Sequence, residues 1–182
     1  MIRAFIAILA ISLLANPAAA QQANMDSFVP GPVFEDFGPH APVEGMTPIP
    51  ADTTFAHAFD VRERADEGPR NRGFESAARF INMHAAAGVP QEDIRVAVVV
   101  HGKAVHDLLT AAALETREMP VSGSSAMVRA MLDHGVRFIV CGQSAAAYGV
   151  SEDDLIPGVE LALSAMTAHA LLQQQGYTVN PF

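Results

Sequence analysis

The chain has one thiol, Cys141, one step past the apolar, β-branched run Val136–Val140 and directly before Gly142-Gln143-Ser144. Cysteine is nucleophilic only as the thiolate, and neighbouring donors or a following helix N-terminus lower its pKa. The amides and polar groups of Gly142, Gln143 and Ser144 are donors of that kind, so the segment predicts a partly exposed thiol of lowered pKa. A second apolar run, Ile94–Val100, ends in His101-Gly102. If the two runs are neighbouring strands, His101 and Cys141 share one rim, where the imidazole can polarise the thiol or contact a bound anion. Each residue also has a plainer reading. Free cysteine packs like a small hydrophobe, and a histidine closing a core strand is often satisfied by a nearby carbonyl.

Other chemistries lack their residues. His40, His57, His84, His106, His134 and His169 are scattered, with no H-x-x-x-H or C-x-x-C spacing, so no metal site is expected. Neither G-x-G-x-x-G nor G-x-x-x-x-G-K-[ST] occurs, and no nucleotide cofactor is expected. A nucleophile elbow needs glycine two residues either side of the nucleophile, where this chain has Ile139 and Gln143. The formal charge is −9 and Lys103 is the sole lysine. Nucleic-acid binding, which needs clustered cations on phosphates, is therefore not expected.

The elements that would position these residues follow from periodicity. Thr53–Val61 alternates as a first strand, and Phe74, Ala78, Ile81 and Ala85 recur at helical spacing before Gly88 and Pro90. Ile94–Val100 reads as a strand covered on both faces, as in a parallel sheet. Ala104, Val105, Leu108, Leu109 and Ala112 predict a helix after it, and Met127–His134 a short helix stopped by Gly135. Val136–Val140 is the next buried strand, and Ser151 with Asp154 resembles a capping box. The main C-terminal helix is expected to start at Pro157, with Val159, Leu163, Met166 and Ala170 on one face. Gly176 then stops it before a last strand, Tyr177–Val179. Strands alternating with helices predict a three-layer, flavodoxin-like α/β domain with a four- or five-stranded, mainly parallel sheet. In such sheets ligands gather at the C-terminal ends of the strands.

Residues 1–20 read as a cleavable signal peptide. Arg3 precedes the apolar run Phe5–Ala15, about eleven residues against the roughly 20 needed to span a bilayer, and Ala18-Ala19-Ala20 gives an A-x-A site. Export to the periplasm is expected, with no membrane span. Residues 21–50 carry Pro30, Pro32, Pro39, Pro42, Pro48 and Pro50, which forbid long regular elements. Phe28, Val33, Phe34 and Phe37 make this stretch an arm that lies on the domain of residues 51–182, or on a neighbouring subunit.

Residues from about Thr53 to Phe182 resemble the DsrE family, flavodoxin-like domains that include sulfur carriers of sulfur oxidation and transfer-RNA thiolation. The resemblance rests on the helix around Asn82, on Val98-Val99-Val100-His101-Gly102 and on Cys141–Gly149. Pro157-Gly158-Val159, Ala162-Leu163-Ser164-Ala165, Gln175-Gly176-Tyr177 and Pro181-Phe182 are similar to its exported branch. It implies that Cys141 accepts sulfur as a persulfide; joined to the residue reading, the expected site is Cys141 with His101, and Gly102, Gly142, Gln143, Ser144 and Asn82 binding the ligand. It also implies a trimer or hexamer exchanging sulfur with a donor or acceptor. Ala147 and Tyr148 stand where the resemblance leads one to expect arginine. The alternative is a homo-oligomeric binding module in which Cys141 is only packed.

Overall fold

Val98 and Val100 of the second apolar run face one hydrophobic cluster while Ala97 and Val99 face another, so the run is continuous because both sides are buried. It is the middle strand of a five-stranded sheet. The computed structural model describes residues 25–66, 68–121 and 123–180. Among them β1 is Phe55–Val61, β2 Ile94–Val100, β3 Arg137–Cys141, β4 Glu160–Ala162 and β5 Thr178–Asn180. Their order is β4-β3-β2-β1-β5 and all four pairings are parallel.

Five α-helices accompany the described strands: α1 Arg72–Ala86, α2 Ala111–Thr116, α3 Ser124–Asp133, α4 Gly142–Ala147 and α5 Ala165–Gln174. Residues of α1 to α4 enter the larger cluster on one face, whereas α5 alone packs on the other through Ala168 and Leu172. The chain steps outward from β1 to β4, then α5 crosses back to set β5 beside β1. On the α5 face the sheet presents Ala58, Ala97, Val99 and Ile139, with Ala56 and Ala162 partly buried, and the four alanines let the helix approach closely. The three-layer α/β reading holds, with five strands.

Two elements differ from expectation. The segment after β2 is not one helix. It is a 3₁₀ turn, Gly102–Leu108, then α2, divided where Leu109 bridges Leu155 and the Thr110 hydroxyl caps α2 by accepting from the Ala113 amide at 3.2 Å. The C-terminal helix does not start at Pro157. Gly158 turns the chain with φ +96°, and Glu160–Ala162 extends along β3 as an edge strand. Arg137 pins that register, its Nε and Nη2 donating to both oxygens of Glu160 at 2.7 Å each. Ser164 then caps α5, accepting from the Thr167 amide at 3.0 Å. Of the expected apolar face only Val159 packs on the core, whereas Leu163 is 72% and Met166 80% exposed.

The Pro-rich segment does lie on the domain. Phe34 and Phe37 are buried and stack with centroids 4.8 Å apart. Asn82, fully buried on α1, holds them: its Oδ1 accepts from the Val33 and Phe34 amides, and its Nδ2 donates to the carbonyls of Phe34, Phe37 and Gly38. A Cβ at Gly31 would collide with this amide, which explains the glycine. The expected signal peptide lies outside the described residues, and among those residues no helix is long and apolar enough to cross a membrane.

The capping box at Ser151 and Asp154 forms as its spacing predicts, and Arg117 adds a two-pronged ion pair at 3.3 and 2.9 Å. The Arg117 guanidinium, with the Ser151 amide and hydroxyl, lowers the Asp154 pKa to about 2. A depressed carboxylate adds stability above its unfolded value of ~3.9 and loses it as pH falls through the folded value. Fully counted, the shift is worth about 2.5 kcal/mol, and solvent screening of this partly exposed pair reduces that to about 1 kcal/mol. Melting temperature should therefore fall between pH 4 and pH 2 in the native protein. Arg117→Ala should flatten that part of the curve, and an equally steep fall in the variant would disprove the assignment.

Candidate functional site

Cys141 is the last residue of β3 and the residue before α4, 5% exposed on the α5 face of the sheet. Gly142 follows because the β4 backbone leaves no room: a Cβ there would stand 2.6 Å from the Ala162 carbonyl oxygen. The turn Ala162–Ala165 thus lies over the thiol, and the Gln143 side chain donates to the Leu163 carbonyl at 3.2 Å. The expected partial exposure is not found, because β4 exists and its turn covers the sulfur.

Burial raises the thiol's pKa, but donors outweigh it and leave the group below its ordinary value. They are the Ser144 hydroxyl and the backbone amides of Ser144, Ala165 and Gln143. Gln143 and Ser144 come from α4, as the sequence implies. Ala165 is the first residue of α5, whose initial amides have no partner within the helix and carry the positive end of its dipole. That contribution is missed by a reading that starts the helix at Pro157. The signal for it is Ser164-x-x-Thr167, a cap pattern the sequence does contain.

Gly102 joins this network from the neighbouring strand. Its φ of +56° is one that glycine adopts freely, and its amide donates to the Ser144 hydroxyl at 3.0 Å. The same hydroxyl is among the groups that lower the Cys141 pKa, so it links the Gly102 amide to the surroundings of the thiol. Four expected site residues, Gly102, Gly142, Gln143 and Ser144, therefore surround Cys141.

His101 is brought to the same rim. Val100 pairs with Val140, so the next step along the strands sets His101 beside Cys141. Its ring, however, turns to Asp60 at the end of β1, with Nε2 3.0 Å from Oδ2. The other oxygen of Asp60 is 2.7 Å from Nε2 of His169 on α5. Burial raises the Asp60 pKa, but the two histidines outweigh it and hold it below the usual carboxylate value. Sequence reasoning passed over Asp60 and counted His169 among the scattered histidines. The available signal was Asp60 itself, which follows Ala56 and Ala58 on one face of an alternating strand. Asn82 does not join the site: both of its amide atoms are committed to the arm. Among the described residues no group of three His, Cys, Asp or Glu side chains is placed to hold a metal ion.

The arrangement can stabilise negative charge on one sulfur. A neutral thiol is a weak hydrogen-bond acceptor, whereas a thiolate, or a persulfide anion in its place, uses every donor aimed at it.

Comparison with known proteins agrees with this framework. No curated protein matches the chain. Among solved structures it is similar to the protein of unknown function MTH1491 from Methanobacterium thermoautotrophicum, at 23% identity and a TM-score of 0.50, over 69% of this chain and 97% of that one. At that identity the likeness establishes the fold. The model of the DsrE/DsrF-like family matches residues 58–181, which include β1 from Ala58 onward, β2 to β5 and the surroundings of Cys141. The chain belongs to the DsrE/DsrF-like family.

Proposed function

We propose that the protein is an exported sulfur-handling protein in which Cys141 accepts and releases sulfur as a persulfide. The observation that carries this reading is the buried sulfur at two helix N-termini, where the Ser144 hydroxyl and the amides of Ser144, Ala165 and Gln143 lower its pKa. A cysteine that only filled space would gain nothing from four donors, since van der Waals packing needs none. The 5% exposure means that loading requires the turn Ala162–Ala165 to move aside. Ala147 and Tyr148, where the family resemblance leads one to expect arginine, leave this network to stabilise the anion without added positive charge.

The test is to incubate the protein with polysulfide and weigh it intact. The reading predicts a gain of one or more sulfur atoms that cyanide removes, with none on Cys141→Ser. A native protein that gains no sulfur overturns it and leaves the packed-cysteine module.

Assembly and location belong to the same proposal. The exposed Leu163, Met166 and Leu171 lie at and along α5, the single helix of its face, and with the exposed Leu161 of the edge strand β4 they support a trimer or hexamer. The A-x-A triplet after Phe5–Ala15 supports cleavage after Ala20 and a periplasmic location. Material recovered from the periplasm should begin at Gln21 and scatter light with a mass above one chain. Uncleaved protein counts against export, and a monomer mass counts against assembly.

A further inference from the structure

Asp60, His101 and His169 converge from β1, the end of β2 and α5 on the face that carries Cys141, and the packing of the sheet does not need them. Asp60 is 40% exposed, so it is not a core residue satisfied by default. Its carboxylate only accepts, so both histidines must present Nε2–H to it. The tautomer of each ring is thereby fixed. Nδ1 of His169 is buried with no partner, as fits the nitrogen without a proton. Nδ1 of His101 is not sealed in that way, and His101 follows Val100, whose strand partner Val140 precedes Cys141, so the two residues lie one strand apart on the same rim. A carboxylate that fixes the far nitrogen of a histidine leaves the near one to take or give a proton, and supports the charge that results.

We propose that Asp60 and His169 are positioning residues that set His101 to move the proton of sulfur transfer at Cys141. This deepens the persulfide reading and rests on it. A proton leaves the Cys141 thiol for His101 Nδ1, and the thiolate attacks the outer sulfur of a persulfide or polysulfide donor. The donor's S–S bond breaks, its electron pair stays on the inner sulfur, and His101 returns the proton there. One S–S bond forms as one breaks, so no oxidant or reductant is consumed. His169 holds Oδ1 so that Oδ2 faces His101. The titratable and charged groups around His101 are Asp60 from β1, His169 from α5 and Cys141 from β3, with the stem of Arg62 against Gly102.

The experiment measures the rate of sulfur loading from polysulfide between pH 5 and pH 9. Asp60→Asn should load roughly 10–100-fold more slowly near neutral pH and lose the inflection of the native profile. His169→Gln keeps an N–H for Asp60 and should lose less than His169→Leu. Thermal unfolding checks that each variant is folded. If Asp60→Asn loads like the native protein at every pH, the positioning role is wrong and the carrier reading survives. If the native protein takes no sulfur, the carrier reading falls, and NMR of the imidazole nitrogens decides the inference alone. A His101 titration that Cys141→Ser moves, and an Nε2–H tautomer that Asp60→Asn mixes, support the coupling. A titration and tautomer unmoved by both changes overturn it.

Discussion

Asn82→Ala should cost about 3 kcal/mol and release the Pro-rich arm while leaving the sheet intact. Five hydrogen bonds connect this amide to the backbone of residues 33–38. Each is worth about 1 kcal/mol net, and more where a buried group is left unpaired. The loss has a ceiling, because the arm can leave the surface and hydrate its backbone. What then disappears is the docking of Phe34 and Phe37, about 1.5–3 kcal/mol for each ring. For a domain of this size that lowers the melting temperature by roughly 6–12 °C. Asn82→Asp should be no better: it keeps the acceptor for the Val33 and Phe34 amides but sets a carboxylate against three carbonyls. Thermal unfolding with limited proteolysis reads both effects. Alanine stability within 0.5 kcal/mol of native, an ordinary surface value, with the arm still protected, would show that the rings hold it unaided.

Asn82 also shows what the sequence can disclose. It lies on the apolar face of α1 with Ala78 and Ile81, and a buried amide there must be satisfied by something. The sequence does not say by what. The resemblance to a ligand-binding family favoured a small molecule, whereas the partner is the chain's own segment, made close-fitting by Gly31. The prolines that forbid helix and strand in the arm are compatible with this role, because the amide bonds carbonyls and amides that no regular element has used.

The sheet was the most legible part. A β-branched run such as Ile94–Val100 can be continuous only if both faces are covered, which requires helices on each side and parallel neighbours. The loops at its C-terminal rim followed as far as Gly102, Gly142, Gln143 and Ser144. The error lay in Pro157–Ser164. Proline in a first turn and four apolar residues at helical spacing mimic a helix start, but pairing with an exposed edge is a tertiary gain that local pattern does not register. Arg137 and Glu160 fix that pairing from 23 residues apart. Three features followed from the missed strand: the burial of Cys141, the Ala165 amide on its sulfur, and the reach of His169 to Asp60.

The second large effect concerns the sulfur. Burial alone would favour the protonated thiol, so the four donors must more than compensate for it. The Ser144 hydroxyl is the largest of the groups that lower the Cys141 pKa, and it accepts from the Gly102 amide. A hydrogen bond to a charged group is worth about 1.5–3 kcal/mol. Ser144→Ala should therefore cut the thiolate population at neutral pH by roughly 10–100-fold, while the Gln143 and Ala165 amides keep part of the effect.

The direct measurement is the ultraviolet absorbance of the thiolate against pH in the folded protein, with Cys141→Ser subtracted to remove tyrosine. It needs no reagent to reach the covered sulfur. Cys141 should ionise at a lower pH than in the same chain unfolded in urea, and Ser144→Ala should move its midpoint upward. A folded midpoint at or above the unfolded one, indifferent to Ser144, would show that Cys141 is only packed and would remove the basis of the sulfur-handling account.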